Sequence, residues 1–318
     1  MTCFFPLEGW RSRHPSDSGK FGIVFNKSKS NGQKVEVPCG QCIGCRLDRA
    51  KDWSLRIMHE SQMHAEMNLP SAFLTLTYRN PDSPLNRLTE EQKEKGLHIH
   101  IDCGLHHDHF QKFMKRYRKR IAPNKIKFYM CGEYGEEGGR PHYHAIIFGH
   151  DFSDKKLHYV RDGKNYYKSK ELDELWQYGN CTIADCTVQS AGYVARYIMK
   201  KCIGEESDEH YKTVGLDGRF HYVKHEYTCM SGGIGKSWFK KYSGDCKKDF
   251  ITLEGKRYRV PRYYDRLREQ VDEDGVKAAK RARKLRARKF EHNQTPERLR
   301  TREKCTAARV KRLVRPLG

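Results

Sequence analysis

The sequence predicts an α+β fold, an antiparallel sheet with helices packed on it followed by a basic helical tail. Three observations carry this. Residues 72–78, AFLTLTY, are rich in β-formers and alternate: Phe73, Thr75 and Thr77 face one way, Leu74, Leu76 and Tyr78 the other. Residues 125–134 and 142–148 read as two more strands, and the Gly-rich linker 135–141 suits an antiparallel hairpin. Segments of helical period separate the strands, which points to helices on one face of the sheet.

Taken in order, residues 21–25 could form a strand, and Asn31-Gly32 signals a hairpin turn before Val35-Glu36-Val37. Leu47, Ala50, Trp53, Ile57 and Met58 stand at three- and four-residue steps, which predicts a helix from Arg46 to about Met67, ended by Pro70. Residues 79–107 are rich in Pro, Gly and His and read as a loop. Phe110, Phe113, Met114, Tyr117 and Ile121 make the buried stripe of a second helix. Residues 150–186 read as irregular, and a third helix runs from about Gln189 to Lys201. The domain reading is an N-terminal extension over 1–45, a main domain over 46–270 and a basic helical or partly disordered tail over 271–318.

The chain has 318 residues, with 62 Lys and Arg against 40 Asp and Glu, a net charge of +22. Residues 276–318 hold 16 of the basic residues against three Glu, so the excess concentrates in the tail. A strong basic excess implies a polyanionic partner, most often nucleic acid. No run approaches the roughly 18–20 apolar residues of a membrane span, and the N-terminus lacks a secretory pattern. Twelve cysteines without an export signal are expected as thiols or metal ligands.

Two sequence features carry chemistry. On a strand, His142 and His144 present two imidazoles to one side and Tyr143 points to the other. Such a pair suits a divalent metal, with Glu133 from the preceding strand as third ligand and Glu136 and Glu137 as competing carboxylates. A second pair, His98 and His100, falls in the loop-like region with no Glu-bearing strand beside it. The other feature is helical: Tyr193 and Tyr197, four apart, share one face, with Lys200 a turn further on and Lys201 beside it. A phenol of pKa about 10 needs a polarised phosphate and a nearby ammonium to act as a nucleophile at neutral pH.

The ordered set FLTLTY, PHYHAIIF with a carboxylate strand before it, and YVARYIMKK resembles the three motifs of HUH endonucleases, initiators and relaxases that cut single-stranded DNA. Two tyrosines rather than one resemble the branch containing the rolling-circle initiators of microviruses. PCGQCIGCR, CGEYGEEGGRPHYHAIIFG, AGYVARYIMKK and VPRYYDRLR are similar to the gokushovirus-type initiators, over about residues 36–270. The resemblance implies an RRM- or palm-like HUH sheet, with His142, His144 and Glu133 holding Mg²⁺ or Mn²⁺ at the scissile phosphate. One tyrosine, with Tyr197 favoured for first cleavage, attacks and becomes linked to the 5′-phosphate. The released 3′-OH primes a host polymerase, and the other tyrosine serves termination and rejoining. The expected partners are single-stranded phage DNA at its replication origin, a host helicase and a host DNA polymerase, in the cytoplasm of a bacterial host and away from membranes. DNA contacts are expected from Arg140, Arg196, Lys201 and Tyr263, and from Arg281, Arg283, Lys284 and Arg286 in the tail.

Three weaker signals remain. Cys39, Cys42 and Cys45 crowd three thiols into seven residues, and a structural zinc would need a fourth ligand such as Cys3. Residues 232–237, GGIGKS, suggest a phosphate loop, but Met230 stands where the first glycine belongs, so ATP binding is not expected. The alternatives are a non-catalytic nucleic-acid-binding protein with a zinc-stabilised N-terminus, or a plasmid initiator or transposase of the same superfamily.

Overall fold

A computed structural model describes residues 2–17, 19–79, 104–135, 139–196, 207–214 and 220–312. The chain forms two compact units, one of Met1–Arg49 with Asp272–Val314, the other including Ala50–Val271.

The larger unit is built on a seven-stranded sheet in which every pairing is antiparallel. In chain order its strands are β4 (Ser71–Tyr78), β5 (Lys127–Tyr134), β6 (Pro141–Phe148), β7 (Lys156–Arg161), β8 (Lys164–Lys168), β9 (Gly179–Asp185) and β10 (Tyr227–Met230). The spatial order is β10-β5-β6-β4-β9-β8-β7, which puts β4 and β6 in the interior. The antiparallel hairpin β5–β6 and the alternation of β4 follow the sequence. The 150–186 region differs from its irregular reading, since it supplies β7, β8 and β9 and a short helix. Its strands are polar; every residue of β7 is exposed. The turn that joins β7 to β8 is Asp162-Gly163, both with positive φ, the pattern of a two-residue hairpin.

Helices cover both faces of this sheet, whereas one face was expected. The helices in chain order are α1 (Ile43–Ala65), α2 (His107–Arg120), α3 (Lys170–Leu175), α4 (Val188–Arg196), α5 (Ser207–His210) and α6 (Lys236–Tyr242), then α7 (Arg262–Glu269), α8 (Glu273–Arg288) and α9 (Pro296–Lys311). Leu74, Leu76, Met130, Tyr143, Ala145 and Ile147 pack under Phe110, Phe113, Tyr117 and Leu172 of α2 and α3. On the other face, Phe73, Tyr129, Ile146 and Phe148 pack with Ile57 of α1 and Ala191, Tyr193 and Val194 of α4. The physical reason is visible in β6, whose last six residues are all buried: a strand apolar on both sides needs cover on both sides. A third cluster joins Leu55 to Trp238, Phe239, Val260 and Tyr264.

The smaller unit contains a sheet of β1 (Leu7–Pro15), β2 (Phe21–Val24) and β3 (Ser30–Val37), ordered β2-β1-β3. Asn31-Gly32 is not a hairpin turn. It lies inside β3, where the register with β1 shifts between Trp10 and Ser12, and Gly32 adopts φ +86. The Asn31 side chain accepts the Gln33 N–H, so the pair makes a bulge instead of a reversal. The tail is helical: Asp272 caps α8 and Thr295 caps α9 with Pro296 in its first turn. Among the described residues no helix is long and apolar enough to cross a membrane.

Candidate active site

Strand register assembles the site. Glu133 lies directly opposite His142 on the paired β5 and β6, and His144 lies opposite Cys131. Residues two apart share a face, so His142, His144 and Glu133 converge. Tyr143 turns to the other face, where its hydroxyl donates to the His106 carbonyl at 2.8 Å. Glu133 Oε1 is 2.6 Å from His142 Nε2 and 3.0 Å from His144 Nε2. Glu133 and His144 are buried, and His142 is half-buried on the side nearer solvent.

The far nitrogens of both rings are also engaged. His142 Nδ1 donates to the Arg140 carbonyl at 3.0 Å, and His144 Nδ1 is 3.0 Å from Thr75 Oγ1. Thr75 reaches it because β4 pairs Thr75 with His144. His142 therefore has an acceptor at each nitrogen. That arrangement needs either an imidazolium or a cation in place of the Nε2 proton. Two imidazoles oriented by their far nitrogens, facing one carboxylate oxygen, are a donor set that fits a divalent metal such as Mg²⁺ or Mn²⁺. Burial alone would raise the Glu133 carboxyl, but the hydrogen bonds from His142 and His144 prevail and hold it at about 2.

α4 aims a tyrosine at this cluster. Its start is fixed by a reciprocal cap: Ser190 N donates to Thr187 Oγ1 at 3.1 Å and Thr187 N to Ser190 Oγ at 2.7 Å. Ala191, Val194 and Ala195 bury one side of the helix. Tyr193 then meets the His144 ring edge-on, with centroids 5.2 Å apart, and lies 6.4 Å from Phe73. Burial, and next the charge of Glu133, push the Tyr193 phenol up, so its hydroxyl stays protonated beside the cluster.

Tyr197, Lys200 and Lys201 lie outside the described residues, as do Glu136, Glu137, His98 and His100. Sequence reasoning did not single out Thr75 as the partner of His144. Its place on one face of β4 was legible, but the pairing that brings it to His144 is a property of the assembled sheet. It also missed a second cluster, His106, Asp108 and His109, where His109 Nδ1 is 2.9 Å from the Tyr78 hydroxyl and its ring stacks on Tyr178.

Residues 71–202 match the family model for replication-associated protein ORF2, the ORF2 and gene 2 protein family. The chain is 32% identical over 248 residues to replication-associated protein VP4 of Bdellovibrio phage phiMH2K, covering 76% of this chain and 71% of that protein. It is 31% identical to replication-associated protein ORF2 of Spiroplasma virus 4, covering 86% and 82% respectively. The chain belongs to the gokushovirus-type replication-associated proteins. Replication-associated protein ORF4 of Chlamydia phage 1 is 33% identical, but the match covers only 55% of that protein and 75% of this chain. No solved structure matches the chain.

The segment matched by the family model contains the strands and helix that carry Glu133, His142, His144 and Tyr193 in this replication-associated protein. Of the residues expected to contact DNA, Arg140 is exposed beside the cluster and Arg196 is half-buried at the end of α4. Tyr263 is half-buried, with the Arg56 guanidinium 4.0 Å over its ring and 3.9 Å over Trp53. In α8, Arg281, Lys284 and Arg286 are exposed and Arg283 is half-buried. The phosphate-loop lookalike is filled from within: Gly235 N–H donates to Glu60 Oε2 at 2.6 Å, and Glu60 Oε1 holds Lys127 Nζ at 2.6 Å. The cysteines Cys3, Cys39, Cys42 and Cys45 come together, with all four sulfurs within 4.8 Å.

Proposed function

We propose that this protein initiates replication of a small phage genome by nicking single-stranded origin DNA through tyrosine transesterification and later rejoining it. The observation that carries the reading is the meeting of Glu133, His142 and His144 with the α4 tyrosine within the family-matched segment. The names of the relatives support the replication role.

In this reading a tyrosine oxygen, from Tyr193 or Tyr197, attacks the scissile phosphorus. The phenolic proton leaves, the P–O3′ bond breaks, and the DNA 5′-phosphate becomes linked to the tyrosine with a free 3′-OH released. The phosphodiester energy is conserved in the new ester, so no nucleotide is consumed. Glu133, His142 and His144 would hold Mg²⁺ or Mn²⁺, which supplies positive charge against the phosphate oxygens. Thr75 and the Arg140 carbonyl orient the two imidazoles for that task. Lys200 would neutralise phosphate charge near the attacking oxygen, with Lys201, Arg140, Arg196 and Tyr263 as DNA contacts. The second tyrosine then allows the regenerated junction to be cut and the first linkage to be attacked by the new 3′-OH. A host helicase and polymerase would open and copy the template.

Labelled single-stranded origin DNA incubated with the full chain and Mn²⁺ tests this on a denaturing gel. A covalent adduct is expected that requires the metal and is absent from the Tyr193→Phe/Tyr197→Phe double variant. Unchanged nicking by that variant overturns the assignment.

A further inference from the structure

The cysteine cluster has the geometry of a metal site with sequence-distant parts. Cys3 Sγ lies 3.6 Å from Cys39 Sγ and 3.9 Å from Cys42 Sγ. These separations are far beyond the roughly 2.05 Å of a disulfide. They match the edge of about 3.8 Å that a tetrahedron of sulfurs has around zinc with bonds near 2.3 Å. The backbone is folded toward the sulfurs. Gly40 takes φ +78, turning the chain between Cys39 and Cys42, and Cys42 N–H donates to Cys39 Sγ at 3.3 Å. Cys39 N–H donates to Cys3 Sγ at 3.3 Å, and Phe4 N–H to Cys42 Sγ at 3.4 Å. N–H groups directed at sulfur favour the thiolate, the form that binds metal. Cys45 sits in the first turn of α1, where the helix dipole acts in the same sense.

A second observation gives the site a consequence. Cys3, Phe4 and Cys42 form a buried apolar cluster with Leu299, and Cys39, Ile43 and Cys45 pack around it. Leu299 is the buried residue of the basic helix α9. The helix thus rests on the cysteine cluster through one apolar side chain.

We infer that Cys3, Cys39, Cys42 and Cys45 form a structural zinc site, and that the metal builds the seat on which Leu299 holds the basic helix α9. The zinc fixes Cys3, and with it Phe4, against residues 39–45. Without the metal the four thiolates repel and the apolar seat opens. This inference does not depend on the nuclease reading.

Metal analysis of the full chain should give one zinc per chain. That zinc should survive His142→Ala/His144→Ala and be lost in Cys39→Ser/Cys42→Ser. Cobalt(II) alone, added to stripped wild-type protein, should give the intense visible bands of a tetrahedral tetrathiolate site, a reading that does not depend on the serine variant folding. Stripping zinc should speed protease cutting within 289–312 by about tenfold, and Leu299→Asp should do so with zinc retained. Absence of zinc without tetrathiolate cobalt bands, or zinc retained by the folded serine variant, overturns the site. Unchanged cutting after stripping, or in Leu299→Asp, overturns the link to α9.

Discussion

Thr75 stands opposite His144 across β4 and β6, and its hydroxyl oxygen is 3.0 Å from His144 Nδ1. A strand neighbour, rather than another member of the cluster, sets the direction in which His144 presents Nε2. Thr75→Val keeps the shape and removes the hydrogen bond. The concentration of Mn²⁺ needed for half-maximal nicking should rise by about 10–100-fold, with the fold intact by circular dichroism. An unchanged Mn²⁺ requirement would mean that packing alone orients the ring.

The charge of the tail can be separated from its packing. Deleting 276–318 would also remove Val276 and Leu299, both buried. Replacing exposed Arg281, Lys284 and Arg286 of α8 by Gln leaves those contacts in place. Binding to single-stranded DNA should weaken, and the slope of log affinity against log salt should become shallower by about 2. Short origin DNA in excess should still be cut. A salt slope equal to that of wild type would exclude these side chains from the DNA contact.

His59 supplies a pH dependence. It is buried, stacks on Trp238 with ring centroids 3.5 Å apart, and its Nδ1 is 2.8 Å from the Tyr264 hydroxyl. Burial pushes its imidazole from an ordinary 6.5 down to about 3. The unfolded chain therefore takes up a proton below about pH 6.5 that the folded chain refuses, and stability falls as pH drops through that window. The slope contributed approaches roughly 1.4 kcal/mol per pH unit. Denaturant unfolding at pH 7 and pH 5 should show the loss in wild type and a smaller one in His59→Gln. Equal losses in both proteins would show that His59 is not held neutral.

Gly235 is needed for its backbone. It adopts φ +78, donates its N–H to Glu60, and a Cβ there would run into the Tyr264 hydroxyl. Gly235→Ala should cost about 2 kcal/mol or more, read as a lower thermal midpoint. Gly255 has a similar φ of +72 but open space around it. Gly255→Ala should cost less, and a reversed order would show that the φ rather than the contact sets the penalty.

Parts of this molecule were legible in the sequence for identifiable reasons. β4, β6 and α2 carry strong apolar periodicity, so their faces could be assigned residue by residue. The His142–His144 face followed from strand alternation. Glu133 as partner required the β5–β6 register, which the linker 135–141 left open among three carboxylates. The β7–β8 hairpin was missed because its strands are polar. Asp162-Gly163 was the signal that could have revealed it. Asn31-Gly32 misled in the opposite sense, since the same residue types that reverse a chain also accommodate an extra pair of residues within a strand. Helices on both faces could have been read from the uninterrupted apolar run at the end of β6.

The two units differ in how their residues are spread along the chain. Ala50–Val271 is continuous, whereas the smaller unit joins Met1–Arg49 to Asp272–Val314. During synthesis the sheet that carries Glu133, His142 and His144 has all its strands before any residue of α8 or α9 leaves the ribosome. The first 49 residues must meanwhile wait for a partner made last. The nascent chain therefore passes through a stage with a finished catalytic sheet and an exposed, unpartnered cysteine segment. The basic helices complete the protein only at the end of its translation.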